Sequence, residues 1–407
     1  MATPLSPQSD AAARLRDIQS ITDAALSHLD GQRLLAELLD RVRGIFQADT
    51  AAVLLLDRES NQLIASAASG LEEEVHQGVR LPVGRGFAGR IAATRQPVIL
   101  DQVDDQHVVN PILLEKGIRT LMGVPLLAAR EVVGVLHVGS LTDRGFTSED
   151  AELLQLAADR AATAVQSVQA RADRAAAAAL QRSLVPSALP AIPGAELAAR
   201  HVPGHGDVGG DWYDVFTLPA GELGVVMGDV AGSGLRAAVV MGRMRSALRA
   251  YALEYSDPAE VLARLDRKMQ HFEPSALATV QYAVLDPGLT RMRVSSAGHL
   301  PPVIATGHGP AKLADITPDL LIGMDTKVPR RTATIPVSPG TVLAFYTDGL
   351  VERRDRPLDD GLTALCAAVR PAHPDAVCVT VMGALVGAEE PSDDVALLVL
   401  RRPPAAA

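Results

Sequence analysis

In Leu223-Gly-Val-Val-Met-Gly-Asp-Val-Ala-Gly-Ser-Gly234 an apolar run of strand length ends at an aspartate, passes through a glycine-rich turn and enters a helical segment. Phe345-Tyr-Thr-Asp-Gly349 repeats the arrangement with Asp348. Val208-Gly-Gly-Asp-Trp-Tyr-Asp214 puts Asp211 at a strand start behind two glycines, and Ser392-Asp-Asp-Val395 puts Asp393 and Asp394 just ahead of another apolar run. Each motif alone reads as a turn, because Asp and Gly are both turn formers. Together they set four carboxylates where apolar strands meet loops. Partly desolvated and brought close, such groups repel one another and their pKa values rise. A hard divalent cation removes that conflict, since Mg²⁺ and Mn²⁺ prefer oxygen ligands. No His/Cys cluster offers a competing zinc site.

Outward from these motifs, strands are expected at Asp211–Phe216, Leu223–Gly228, Thr279–Leu285, Met292–Ser296, Thr332–Ile335, Val342–Tyr346 and Val395–Leu400. Helices fit Gly234–Tyr255, Pro258–His271 and two stretches between Gly361 and Val386. Strands come in adjacent runs and outnumber helices, which predicts a sheet sandwich with flanking helices and not a doubly wound parallel fold.

Upstream, Leu34, Leu35, Leu38, Leu39 and Val42 recur at helical spacing. Strands are expected at Ala51–Leu56 and Leu63–Ala67, a third opens at Pro97, and Leu121–Leu127 with Val132–Val138 reads as a hairpin. Thr147-Ser-Glu-Asp150 has a helix-capping pattern, and no Gly or Pro follows until Pro186. Within that span Leu154, Ala158, Ala161, Val165, Val168, Ala172, Ala175 and Ala179 form a heptad seam. The seam is mostly Ala, so it predicts a closely but weakly packed dimeric connector; an ordinary helix covering one domain's face is the plainer alternative. The fold class is therefore α+β in two domains. The expected division is a disordered tail over 1–13, a first domain over 14–152, a coiled-coil connector over 153–185, a second domain over 186–402 and a tail over 403–407.

The 407 residues are 48% hydrophobic and 21% charged, enough for large cores and too apolar for a wholly disordered chain. Thirty-eight basic residues against 48 acidic ones give a net charge of −10, which argues against nucleic acid as a partner. Cys366 and Cys378 are too few for a disulfide framework and are read as buried thiols. The longest uncharged apolar run, Ala376 to Ala388, has the length of a core element, and the first residues lack a signal-peptide stretch. A soluble cytoplasmic protein without membrane contact is expected.

The second domain resembles the PPM-type metal-dependent Ser/Thr protein phosphatases, within them the bacterial SpoIIE/RsbU-like branch. The resemblance rests on Leu180-Gln-Arg-Ser-Leu-Val-Pro186, Val208–Phe216, Gly228–Met241, Ala297-Gly-His-Leu-Pro-Pro302, Tyr346–Glu352 and Asp393-Asp-Val-Ala-Leu-Leu398. It implies an α/β sandwich of two central sheets and a binuclear Mn²⁺/Mg²⁺ centre. By position Asp229 would bridge the metals with the Val230 carbonyl assisting. Asp211, Asp348 and Asp393 would complete the shell, with Asp394 the alternative to Asp393. The implied reaction is attack of metal-bound hydroxide on a phosphoserine or phosphothreonine. The implied partner is a phosphorylated anti-anti-sigma (STAS-type) protein. This chain departs from the eukaryotic branch in having Ala231 where that branch has His, and from many members of its own branch in having Ser233 where they have His. His299 is read as structural.

The first domain resembles a GAF domain on Leu81-Pro-Val-Gly-Arg-Gly-Phe-Ala-Gly-Arg90, Gly117-Ile-Arg-Thr-Leu-Met-Gly-Val-Pro125 and Val132–Gly139. It has no Cys for covalent bilin attachment and lacks the pattern of cyclic-nucleotide-binding members. His76, His107 and His137 are read as solvated or packed in preference to haem ligands. A small molecule or a purely dimerising role both fit. The leading expectation is a homodimeric, signal-regulated phosphatase. A pseudophosphatase that binds its partner without hydrolysis is an alternative. So, more remotely, is a diguanylate cyclase, faintly echoed by Gly209-Gly-Asp-Trp-Tyr213; that reading leaves Asp348, Asp393 and the Gly228–Gly234 turn unexplained.

Overall fold

The computed structural model describes residues 31–404 except 59, 185, 187, 205–208, 354–356 and 388–390. The expected 1–13 tail, the expected start of the first domain and residues 405–407 of the expected C-terminal tail lie outside the described residues. The chain divides into two compact units between Ala172 and Asp173.

The first unit opens with α1 (Gly31–Phe46) and a hairpin of β1 (Thr50–Asp57) and β2 (Gln62–Ser69). There follow α2 (Glu72–His76), β3 (Arg80–Pro82), α3 (Gly86–Thr94), β4 (Val98–Leu100), α4 (Pro111–Glu115), β5 (Thr120–Ala128) and β6 (Glu131–Ser140). The six strands form one antiparallel sheet in the order β3-β2-β1-β6-β5-β4. Both faces of the sheet are covered, which is why β1 reads as an unbroken apolar run. Ala51 and Val53 pack with Leu39 and Val42 of α1, while Ala52 and Leu54 pack with Phe87 and Ile91 of α3.

Helix α5 (Ser148–Leu184) begins where its capping box predicts: the Thr147 hydroxyl accepts from the Asp150 N–H at 3.1 Å, and the Asp150 carboxylate accepts from the Thr147 N–H at 2.9 Å. Its seam has two fates. Leu154, Ala158, Ala161 and Val165 are buried in the α1 face of the first unit's core, as an ordinary covering helix would be. Ala172, Ala175 and Ala179 are exposed.

The second unit holds two five-stranded antiparallel sheets. Its strands are β7 (Glu196–Val202), β8 (Trp212–Thr217), β9 (Leu223–Val230), β10 (Ala278–Leu285), β11 (Arg291–Ala297), β12 (Val303–Ala305), β13 (Lys312–Leu313), β14 (Ala333–Pro336), β15 (Val342–Tyr346) and β16 (Val395–Arg401). One sheet runs β14-β11-β10-β9-β8, the other β13-β12-β15-β16-β7. Alternation along each strand divides its side chains between two cores. Val225, Met227, Ala283, Phe345 and Leu398 fill the space between the sheets. Val226, Tyr282 and Val284 face α6 (Gly234–Glu254) and α7 (Pro258–Phe272). Val342, Ala344 and Val399 face α8 (Leu358–Ala368) and α9 (Pro374–Leu385). The result is a four-layer helix–sheet–sheet–helix sandwich. Cys366 and Cys378 are unpaired thiols, and among the described residues no helix is long and apolar enough to cross a membrane.

Candidate metal centre

The four aspartate motifs converge at one end of the sandwich, two from each sheet. Asp229 sits one residue from the end of β9 and Asp211 immediately before β8; Asp348 follows β15 and Asp393 precedes β16. Carboxylate oxygens of Asp211, Asp229 and Asp348 lie within 4.8 Å of one another. Asp211 is 3% exposed, and its Oδ2 is buried with no hydrogen-bond partner. Burial, and then the neighbouring Asp229 charge, push its carboxyl well above the usual range. Burial followed by the Asp348 charge raises Asp229 to about 6. Burial also raises Asp393. Among the described residues the neighbours that shift these groups are other carboxylates and hydrogen-bonding groups, not cations. An orphaned buried oxygen within an all-carboxylate group is the donor set a hard cation fits.

Glycines let the loops close on this cluster. The register pairs Trp212 with Gly228, and a Cβ at Gly228 would sit 2.3 Å from the indole ring, so the glycine before Asp229 makes room for the tryptophan after Asp211. A Cβ at Gly210 would meet the Val230 carbonyl at 2.2 Å, and one at Gly349 would meet the Asp394 carbonyl at 2.1 Å. Beyond Asp229 the turn uses left-handed backbone at Gly232 (φ 102°) and Gly234 (φ 78°).

Asp394 is placed differently from its neighbour. It is 2% exposed, its Oδ1 accepts from the Gly204 N–H at 2.8 Å, and its Oδ2 accepts from the Gly209 N–H at 3.2 Å and from Gln181 Nε2 at 2.7 Å. Both oxygens are thus occupied by donors from the loop ahead of Asp211 and from the last turn of α5. Asp393 is exposed, and its Oδ1 accepts from the Asp394 N–H at 2.8 Å.

His299 lies between the two sheets' site-bearing strands. Its Nδ1 is 2.8 Å from the Thr279 hydroxyl, and its Nε2 is 3.0 Å from the Tyr346 carbonyl. The carbonyl can only accept, so Nε2 carries the proton and Nδ1 accepts from Thr279. Thr279 pairs with Asp229 across β10 and β9, and Tyr346 precedes Asp348 by two residues. The ring ties the two acids' strands together, in keeping with its structural reading. Gln181 lies in Leu180-Gln-Arg-Ser-Leu-Val-Pro186, one of the stretches that carry the resemblance, but its bond to Asp394 is not legible from that stretch. Asp214, next to the site in sequence, is turned to α6, where Arg249 and Arg245 hold it at 2.6 and 3.0 Å.

A family model for stage II sporulation protein E (SpoIIE) matches residues 219–403, and a GAF-domain model matches residues 28–166. The chain joins a GAF domain to a SpoIIE-type PPM phosphatase domain. Over part of its length it is similar to Protein IcfG of Synechocystis sp., at 27% identity over 207 residues, 43% of this chain and 32% of the relative. It is similar also to the Nif-specific regulatory protein of Azospirillum lipoferum, at 30% identity over 143 residues, 34% of this chain and 23% of the relative. The chain thus spans a third or less of these curated relatives' lengths. Among solved structures, the RsbU and RsbW domains of Rv1364c from Mycobacterium tuberculosis are 30% identical, with 55% of this chain and 64% of that one covered and a TM-score of 0.49. The SiaA-PP2C domain of Pseudomonas aeruginosa is 19% identical, with 57% and 98% covered and a TM-score of 0.47.

Proposed function

We propose that this protein is a cytoplasmic, homodimeric Ser/Thr protein phosphatase whose substrate is a phosphorylated anti-anti-sigma (STAS-type) regulator and whose activity is set by the GAF domain. The observation that carries the reaction is the convergence of Asp211, Asp229 and Asp348 from both sheets, with Asp211 Oδ2 buried and unpartnered. Asp211, Asp229, Asp348, Asp393 and the Val230 carbonyl are assigned as the holders of two Mn²⁺ or Mg²⁺ ions. Asp393 is preferred to Asp394, because both Asp394 oxygens already serve backbone and Gln181 donors. When bound, such cations lower the pKa of water and neutralise charge on a transferring phosphoryl group. The chain's own part is placement. The glycine contacts hold four acids in one cluster, Asp394 fixes the loop ahead of Asp211, and His299 fixes the spacing between Asp229 and Asp348. The substrate assignment follows from the resemblance of the second domain to the SpoIIE/RsbU-like branch.

The test is hydrolysis of p-nitrophenyl phosphate and of phosphoserine peptides by the full-length chain with and without Mn²⁺. Mn²⁺-dependent release that falls by about a thousandfold in both Asp229→Ala and Asp348→Ala is expected, equivalent to about 4 kcal/mol of lost charge stabilisation. A wild-type chain inactive on both substrates with Mn²⁺ overturns the reading.

A further inference from the structure

Asp266 of α7 and Arg330 form an ion pair whose side chains are 2% and 4% exposed, with Oδ2 accepting from Nη2 at 2.6 Å. A buried ion pair adds little net stability over apolar side chains of the same size. The use of this one is positional. Asp266 Oδ1 accepts from the Gly323 N–H at 2.8 Å, and Arg330 Nη1 donates to the Leu320 carbonyl at 2.9 Å. The pair therefore grips both ends of Leu320-Leu-Ile-Gly323, a stretch that belongs to no helix and to none of the sixteen strands.

That stretch is fixed against the elements that carry the metal centre. Ile322 and Ala278 exchange both backbone bonds, at 2.9 and 3.1 Å, where β10 begins. The Asp319 N–H donates to the Ser296 carbonyl at 2.8 Å, three residues before His299. Gly323 has left-handed backbone (φ 96°), and a Cβ there would meet the Ala276 carbonyl at 2.1 Å and Leu277 Cδ2 at 3.2 Å, so the Leu277 side chain lies directly against this backbone. The Leu277 carbonyl in turn accepts from the Ala231 N–H at 2.9 Å, two residues after Asp229. On this frame Leu277 is 42% exposed, and Met324, the residue after Gly323, is 55% exposed. Single exposed apolar side chains are ordinary. Two neighbours displayed on backbone that a buried ion pair holds still are contact area formed in advance.

We propose that Leu277 and Met324 form a docking surface for the phosphoprotein substrate, taking an apolar side chain that flanks its phosphorylated residue. The inference rests on the phosphatase reading and deepens it by naming where the protein around the phosphate is read. The occupant follows from position: a chain whose phosphate reaches Asp229 passes the turn at Ala231, and Leu277 is bonded to that turn. The fixed backbone lowers the ordering cost of binding, and a methionine adapts to the shape of the side chain it meets.

The experiment uses the full-length chain with Mn²⁺, p-nitrophenyl phosphate and two phosphoserine peptides that differ only in carrying leucine or serine at the flanking positions. The readout is the ratio of kcat/KM for the leucine peptide to that for the serine peptide, in which a general change of activity cancels. In the wild type the ratio is expected to be about tenfold or more, the size expected for a leucine side chain leaving water. Leu277→Ser with Met324→Ser, both at exposed positions, is expected to abolish the preference. Arg330→Lys keeps the charge beside Asp266 but gives up the fork that reaches Leu320, and is expected to lower the ratio through KM and not kcat. Equal turnover of the two peptides by the wild type, a preference that survives the double substitution, or a changed oligomeric state of the double variant in sedimentation, which would make the patch a contact between copies, overturns the docking surface and leaves the phosphatase reading standing. A wild type inactive on all three substrates overturns the phosphatase reading, and the docking surface with it.

Discussion

His299 illustrates how much one side chain contributes to a site that it does not join. Its imidazole is 3% exposed, donates to Tyr346 and accepts from Thr279, and burial pushes its pKa down from 6.5 to about 4. His299→Leu leaves the Tyr346 carbonyl unmatched, so a loss of about 2–4 kcal/mol in the second unit's stability is expected, read by denaturant unfolding. Activity is expected to fall too, because the Asp229 and Asp348 strands lose their tie. The ring is neutral in the fold and titrates near 6.5 in the unfolded chain. Above pH 6.5 both states hold the same protons. Between about 6.5 and 4 the unfolded chain takes up a proton that the fold refuses, so stability declines as pH falls through that window. His299→Asn is expected to flatten that part of the unfolding-versus-pH curve. Gly210 and Gly349 show the other kind of residue-scale constraint. Either one changed to Ala places a methyl about 2 Å from a carbonyl oxygen, and is expected to cost activity more than it costs the melting temperature.

At the scale of elements, α5 matters most. Its last turn carries Gln181, whose amide reaches buried Asp394 and thereby the loop ahead of Asp211. Gln181→Ala removes a hydrogen bond to a charged group, a loss of about 1.5–3 kcal/mol, and is expected to lower phosphatase activity. Gln181→Glu sets a second carboxylate against Asp394 and is expected to lower it further. Steady-state kinetics of the two variants side by side checks the order. Most elements were legible in the sequence because their periods were clean. The run from Val342 to Tyr346 is a strand with those bounds, and α6 differs from expectation by one residue at its end. Strand β7 was not legible: Glu196-Leu-Ala-Ala-Arg-His-Val202 has little apolar weight and is a strand because β16 offers it an edge. Strands β12 and β13, three and two residues long, fall below any periodic signal. The sequence carries acid motifs at four strand ends, and the structure brings three of these acids, Asp211, Asp229 and Asp348, within 4.8 Å of one another. The separate surroundings of Asp393 and Asp394 were not legible, because the donors around Asp394 come from residues 181, 204 and 209, far away in sequence.

For the whole molecule, the seam of α5 changes character along its length: Leu154 to Val165 belong to a core, while Ala172, Ala175 and Ala179 are exposed. If the exposed part pairs two copies, Ala172→Leu with Ala175→Leu enlarges the seam and is expected to fix the helices in one register. Phosphatase activity would then stay at one level whatever the GAF domain binds; unchanged regulation in the double variant counts against the coupling. The acid cluster has a molecule-wide effect as well. Two carboxylates come from each sheet, and burial and mutual repulsion raise Asp211, Asp229 and Asp393. The seam of the sandwich is therefore under electrostatic load where it does its work. Asp211→Asn keeps the shape and removes one of the charges, so in a metal chelator the variant is expected to melt higher than the wild type while being inactive. Gathering unpaired carboxylates at its seam leaves this sandwich less durable than its own strands and helices would allow.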